Sequence, residues 1–392
     1  MTAPFSIMCF AWNASGLKLC ETMSQTKADE ARKGFKAFVT MKKPCVAPDF
    51  FEDIRAIIRA RNPSLVVMTT EDEDRSDTYF HAELLPNSMP EIGYALLKRD
   101  KLEGVGESGL IPAKIATGNP SGNALRISIY ARNELMAGFR IEERRLGQFF
   151  GNDGQAEIVC KQGDRASGAI GAYVWHETYG KFLFIATRLA SGSEMLKVGN
   201  GLDYNTYRVA TRSANTLCLI AILNAFVNSL PAEARPDHVV LLGDLNYDVV
   251  VPGKKNIEIV SQLASNLSAD KIKELQKFDE LAKAMLEDGP LYGFKEGQGA
   301  QGPLFMPTWR LARGRPDACV PDKDNNKVAT TCFGAANEAL GSLGWHDRIL
   351  YKEAMTSNYM LSCSGYNRLD VKNMHQSTHA GVIALFEVKA IA

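Results

Sequence analysis

The stretch HVVLLGDLNYD, residues 238–248, carries an apolar run straight into a glycine and then sets an aspartate and an asparagine two positions apart. In extended chain Asp244 and Asn246 would point to the same side. A carboxylate that accepts hydrogen bonds beside an amide that donates them suits an attacking water, a phosphate oxygen or a hard divalent cation. Taken alone, the stretch favours a plainer meaning, a β-turn in which Asp and Asn bond to their own backbone. Other stretches shift that balance. Asn13 ends CFAWN, Glu71 ends SLVVMTTE, His346, Asp347 and Arg348 precede ILYK, and His379 precedes AGVIALF. Each is a polar residue at the rim of an apolar strand, where α/β proteins tend to build sites.

The elements that must position these residues follow from periodicity. Residues 5–13, 64–71 and 124–133 read as strands, and 168–189 as a hairpin turning near Glu177–Gly180. Residues 48–61 and 207–229 carry helical patterns, 256–288 is helical and charged, and strands recur around 346–352, 358–363 and 381–388. This mixed order predicts an α/β (α+β) sandwich rather than a doubly wound parallel sheet. One domain over 1–392 is expected, with loop insertions near 104–123 and 289–340.

Composition narrows the function classes. The 392 residues hold 45 basic and 45 acidic side chains, so the net charge is zero and a general nucleic-acid binder is disfavoured. Eight cysteines are scattered without a CxxC pair, which predicts reduced, mostly buried thiols. No run reaches the roughly 20 apolar residues of a membrane span. The N-terminus lacks the basic start and long apolar run of a signal peptide. The expectation is a cytoplasmic protein, peripheral at a membrane or within a large assembly. His81, His176, His238 and His375 show no metal-site spacing and read as surface or turn residues.

The order of motifs resembles the endonuclease/exonuclease/phosphatase superfamily, and within it the inositol polyphosphate 5-phosphatases. AWN (11–13), TTE (69–71), SGAIG (167–171), IATRL (185–189), GDLNYD (243–248), FMPTWR (305–310), WHDRIL (345–350) and STH (377–379) come in family order along nearly the whole chain. The resemblance implies a four-layered sandwich with two packed, mostly antiparallel sheets. It also implies roles. Glu71 would bind Mg2+ with Asn13 helping to position it. Asp244 would orient or deprotonate the attacking water, and Asn246 would hold the phosphate. His379 would contact the scissile phosphate, kept in register by Asp347. Arg310 and Arg348 would stand on the substrate side.

Two departures accompany the match. The family's S-H-L histidine aligns with Thr187, and the aspartate of its S-D-H aligns with Thr378. Removing one transition-state donor costs roughly 10²–10³ in rate. Three readings follow. One is a Mg2+-dependent phosphoesterase acting on a phosphorylated small molecule or a phosphoinositide headgroup. Another is a weak or inactive phosphatase fold serving as a binding component among protein partners. The third is a nuclease of the same superfamily, with nucleic acid the weaker expectation.

Overall fold

The computed structural model describes residues 5–13, 18–19, 45–46, 50–74, 85–103, 123–141, 168–189, 204–298, 301–309, 311, 332–333, 343–354, 357–369, 377 and 379–391. The strands are β1 (Phe5–Asn13), β2 (Lys18–Leu19), β3 (Cys45–Val46), β4 (Leu65–Asp74), β5 (Tyr94–Glu103), β6 (Asn123–Arg132) and β7 (Phe139–Ile141). They continue as β8 (Gly168–His176), β9 (Gly180–Arg188), β10 (His238–Asp244), β11 (Lys295–Glu296), β12 (Asp347–Glu353), β13 (Tyr359–Leu369) and β14 (Gly381–Ala390). The helices are α1 (Phe50–Arg61), α2 (Leu85–Glu91), α3 (Tyr204–Ser229), α4 (Asn256–Ser265), α5 (Ala269–Gln276) and α6 (Glu280–Ala284).

Two six-stranded sheets form, in the orders β13-β14-β1-β4-β6-β5 and β11-β12-β10-β9-β8-β7. Each has one parallel pair, β1 with β4 and β10 with β9, and antiparallel neighbours elsewhere. The alternation of side chains along each strand sorts the apolar residues onto two faces. Phe5, Ile7, Cys9 and Ala11 of β1 join Phe182, Phe184 and Ala186 of β9, and Val240 and Leu242 of β10, in the slab between the sheets. Met8, Phe10 and Trp12 face outward under Phe51, Ile54 and Ile58 of α1. Leu183 and Ile185 face outward under Leu219 and Leu223 of α3. Helix, sheet, sheet and helix stack as the four layers that the motifs imply. Because central strands are covered on both faces, runs such as FSIMCFAWN are apolar almost throughout.

The charged segment 256–288 is helical as expected, in three helices, because Ser268 and Asp279 each cap a new start: Ser268 Oγ accepts from the Lys271 amide at 3.2 Å and Asp279 Oδ1 from the Leu281 amide at 3.2 Å. Two expectations change. Cys9 and Cys363 are free and buried, whereas Cys218 and Cys332 are each disulfide-bonded, against the expectation of reduced thiols throughout. His176 and His238 are buried core residues rather than surface ones, 5% and 0% exposed. His81 and His375 lie outside the described residues, as does the segment 104–122. Among the described residues no helix is long and apolar enough to cross a membrane.

Candidate functional site

One rim of the slab is polar. Register places Asn13 of β1 beside Glu71 of β4 in one sheet, and Arg188 of β9 beside Asp244 of β10 and Asp347 of β12 in the other. Residues paired across neighbouring strands share a face. The rows that supply apolar side chains to the slab therefore end, at this rim, in three carboxylates, an amide and a guanidinium. All five residues are at most 1% exposed.

The groups bond to one another across the slab. Asn13 Nδ2 donates to Asp244 Oδ2 at 2.8 Å, and the Asn13 amide donates to Asp347 Oδ1 at 3.0 Å. Asp347 Oδ2 lies 2.7 Å from His379 Nδ1. A carboxylate accepts, so Nδ1 is the donor and the imidazole orientation is fixed. Ser377 supports this end, its hydroxyl donating to the Asn13 carbonyl at 2.7 Å and accepting from the His379 amide at 3.0 Å. The Trp309 ring lies 4.4 Å from that of His379. Thr308 Oγ1 accepts from the amides of His346 and Asp347, at 2.9 and 3.1 Å.

The turn after β10 completes the site. Gly243 has φ +137°, and a Cβ there would strike the Thr187 carbonyl oxygen and Glu71 Oε1. Only glycine lets the two sheets approach so closely at this point. Glu71 Oε1 then accepts from the Asp244 amide at 2.5 Å. Asn246 is not extended as expected but left-handed, with φ +53°. Its amide donates to Asp244 Oδ1 at 2.9 Å and its Nδ2 to the Leu189 carbonyl at 2.7 Å. The turn and the site are thus the same structure. Arg212 of α3, 1% exposed, donates to the Asn246 carbonyl and pairs with Asp248 and Glu280, each at 3.0 Å. Nothing in the sequence reading singled out Arg212, and a lone arginine within a helix offers no motif.

Electrostatics follow from burial. Glu71 is pushed well above the usual carboxylate range, first by desolvation and then by Asp244 and Asp347. Asp244 rises to about 6, chiefly by desolvation, with His379 and Arg188 acting the other way. Glu71 Oε2 is buried with no hydrogen-bond partner among the described residues. An orphaned carboxylate oxygen beside an amide side chain is a hard-oxygen donor set that fits Mg2+ or Ca2+. Among the described residues no group of three His, Cys, Asp or Glu side chains could hold a metal unaided. Mg2+ commonly takes one or two carboxylates and completes its shell with water and substrate oxygens, so the fit stands.

Two expected residues lie elsewhere. Arg348 faces away from the slab, its guanidinium tied to Glu296 at 2.6 Å, Asp279 at 2.7 Å and the Trp345 carbonyl at 3.0 Å. It is a buried structural cation, not a substrate contact. Thr187 shares the outward face with Leu183 and Ile185, and its hydroxyl donates to the Gly168 carbonyl at 3.1 Å. The inward position belongs to Arg188, which is also where S-H-L, laid on Thr187, Arg188 and Leu189, puts the histidine. Arg310 and Thr378 lie outside the described residues.

Solved structures of similar fold include the inositol polyphosphate 5-phosphatase domain of SPsynaptojanin with inositol (1,4)-bisphosphate and calcium, at TM-score 0.55 and 16% identity, covering 99% of this chain and 86% of that one. Cimex nitrophorin as its ferrous NO complex reaches TM-score 0.53 at 16% identity, covering 99% and 100%. D. rerio TDP2 with a single-strand DNA product reaches only 0.42 at 13% identity, covering 98% and 99%, too distant to argue from. At such identities the first two show the fold alone. No curated protein matches the chain. The model of endonuclease/exonuclease/phosphatase family 2 matches residues 126–385, about two thirds of the sequence, and the chain belongs to that family.

Proposed function

We propose that the chain is a divalent-metal-dependent phosphoesterase that hydrolyses a phosphate monoester by water attack. The observation that carries this reading is the unbroken hydrogen-bonded line Asn246–Asp244–Asn13–Asp347–His379 across one rim of the slab. Glu71 and Asn13 would hold Mg2+, which when bound neutralises charge on the phosphoryl oxygens. Asp244 orients the attacking water and accepts its proton. The amide of Asn246 keeps one hydrogen on Leu189 and offers the other to a phosphoryl oxygen. His379, braced by Asp347, turns Nε2 to the same group, so fixed donors meet the charge that develops as the ester P–O bond breaks. An inositol phosphate or a phosphoinositide headgroup is the proposed substrate, supported by the inositol (1,4)-bisphosphate that the SPsynaptojanin domain holds.

A second reading has one observation in its favour. The fold also serves Cimex nitrophorin, whose structure is a ferrous NO complex, so this chain can equally be read as a binding component. Phosphate release from soluble inositol polyphosphates and phosphoinositide vesicles, with and without Mg2+, separates the two. Turnover that needs Mg2+ and vanishes in Asp244→Ala supports the hydrolase. A well-folded protein that releases no phosphate from any of them supports the binding component. Plasmid nicking that also needs Asp244 would move the substrate to nucleic acid.

A further inference from the structure

We infer that Arg188 is a phosphate-binding residue of this site, and that its charge selects a doubly charged monoester over a singly charged diester. The inference rests on the phosphoesterase reading and names what decides its substrate class.

Position comes first. Arg188 is the last residue of β9 and pairs in register with Asp244. Phe182, Phe184 and Ala186, at two-residue steps before it, all lie in the slab between the sheets. The same step puts Arg188 in the slab at the polar rim, where it is 1% exposed. Its charge is felt by both Glu71, on the opposite sheet, and Asp244, beside it. The guanidinium thus belongs to the carboxylate cluster rather than to the helix-covered face. Arg348 makes the contrast. It too is a fully buried arginine on a strand at this end of the sheet, yet Glu296 and Asp279 are dedicated to it on the other face. Among the described residues, Glu71 and Asp244 of the site are carboxylates that feel the charge of Arg188.

A count of charges shows what that position does. Ionised, as a bound cation would keep them, Glu71, Asp244 and Asp347 bring three negative charges. A divalent cation returns two, which leaves a pocket that repels phosphate. Arg188 brings the sum to zero. A guanidinium at this place also offers paired N–H donors of the geometry that phosphoryl oxygens accept. Coulomb energy scales with the charge of the ligand. Loss of the guanidinium charge therefore costs a dianion twice the free energy that it costs a monoanion, so the fold-loss for the dianion is the square of that for the monoanion.

The test is calorimetric binding of methyl phosphate and dimethyl phosphate with saturating Ca2+, at about pH 8, where a monoester is a dianion. Wild type, Arg188→Gln and Arg188→Lys are compared, with melting temperatures as the folding check. If Arg188→Gln weakens dimethyl phosphate about fivefold, methyl phosphate should weaken about 25-fold, and Arg188→Lys should keep most of the preference. Equal losses for both ligands, or no loss in a variant that melts like wild type, would overturn the inference. Should Arg188→Gln not fold, the lysine variant decides: a lost dianion preference despite the retained charge overturns it too. Wild-type turnover with unchanged selectivity in the variants removes only the role of Arg188. A wild type that neither binds these ligands nor releases phosphate removes the phosphoesterase reading with it.

Discussion

The slab between the sheets has two ends, built by the same alternation and filled in opposite ways. At one rim Asn13, Glu71, Arg188, Asp244, Asp347 and His379 are buried and mutually bonded or paired in charge. At the other, Phe5 stacks on Tyr179 at 4.3 Å and on Phe182 at 5.8 Å, and His176 sits against Phe139 at 4.7 Å. His238 stacks on Phe182 there at 5.2 Å, with neither ring nitrogen hydrogen-bonded among the described residues. The aromatic end behaves as core, and its histidines are held neutral because burial disfavours their charge. The polar end concentrates three carboxylates where folding alone would place apolar residues. Perturbed, partnered charges at strand tips are the pattern of a functional site rather than of a core.

That contrast can be broken or sharpened by substitution. The largest effect is expected from Asp244→Asn, which keeps the size of the side chain but removes the proton acceptor. Phosphate release should fall about 10³-fold or more, with the fold retained by circular dichroism. Arg348→Met, on the outward face, should act on stability instead. It strands Glu296 and Asp279 as buried, uncompensated charges and should cost about 4 kcal/mol in denaturant titration, while phosphate binding by the folded fraction stays unchanged.

The aromatic end should reveal itself through pH. His238 falls from 6.5 to about 4 because burial disfavours its charge, with Asp237 and Glu353 opposing. Its folded value lies below its unfolded one, so the unfolded chain binds more protons between them and stability drops as pH falls through that window. The loss by pH 4 should approach about 3 kcal/mol, and His238→Leu should flatten the curve of melting temperature against pH over that range. The smallest effect is expected from Thr187→Val. It removes one hydrogen bond to Gly168, worth about 1 kcal/mol, and should leave turnover within about twofold of wild type.

Much of this fold was legible. β1 spans residues 5–13 as expected, and the hairpin falls at 168–176 and 180–188 because long apolar runs bounded by turn residues leave few alternatives. β5, YALLKRDKLE, is a sheet-edge strand with charged residues that blur any period of two, and it carries no comparable signal. The site was legible where motifs end at strand tips, as at Asn13, Glu71, Asp244, Asp347 and His379. It was not legible where a choice of face mattered. β9 and β12 are apolar on both sides, so periodicity cannot say which of two neighbours points into the slab. Thr187 was expected in the place that Arg188 occupies, a one-residue offset, since S-H-L ends on Leu189 and so sets its histidine on Arg188, and Arg348 was expected at a rim that it faces away from. Strand register agrees for β9, tying Arg188 to Asp244.

The central claim is that strand tips from both sheets converge on one cation-holding cluster whose anchor is the buried carboxylate of Glu71. Calorimetric titration of Mg2+ into the full chain and into Glu71→Gln tests it most directly. Saturable binding by the wild type, weakened at least about tenfold in a variant that melts no lower, is the predicted result. Equal Mg2+ affinity in the two proteins would contradict it.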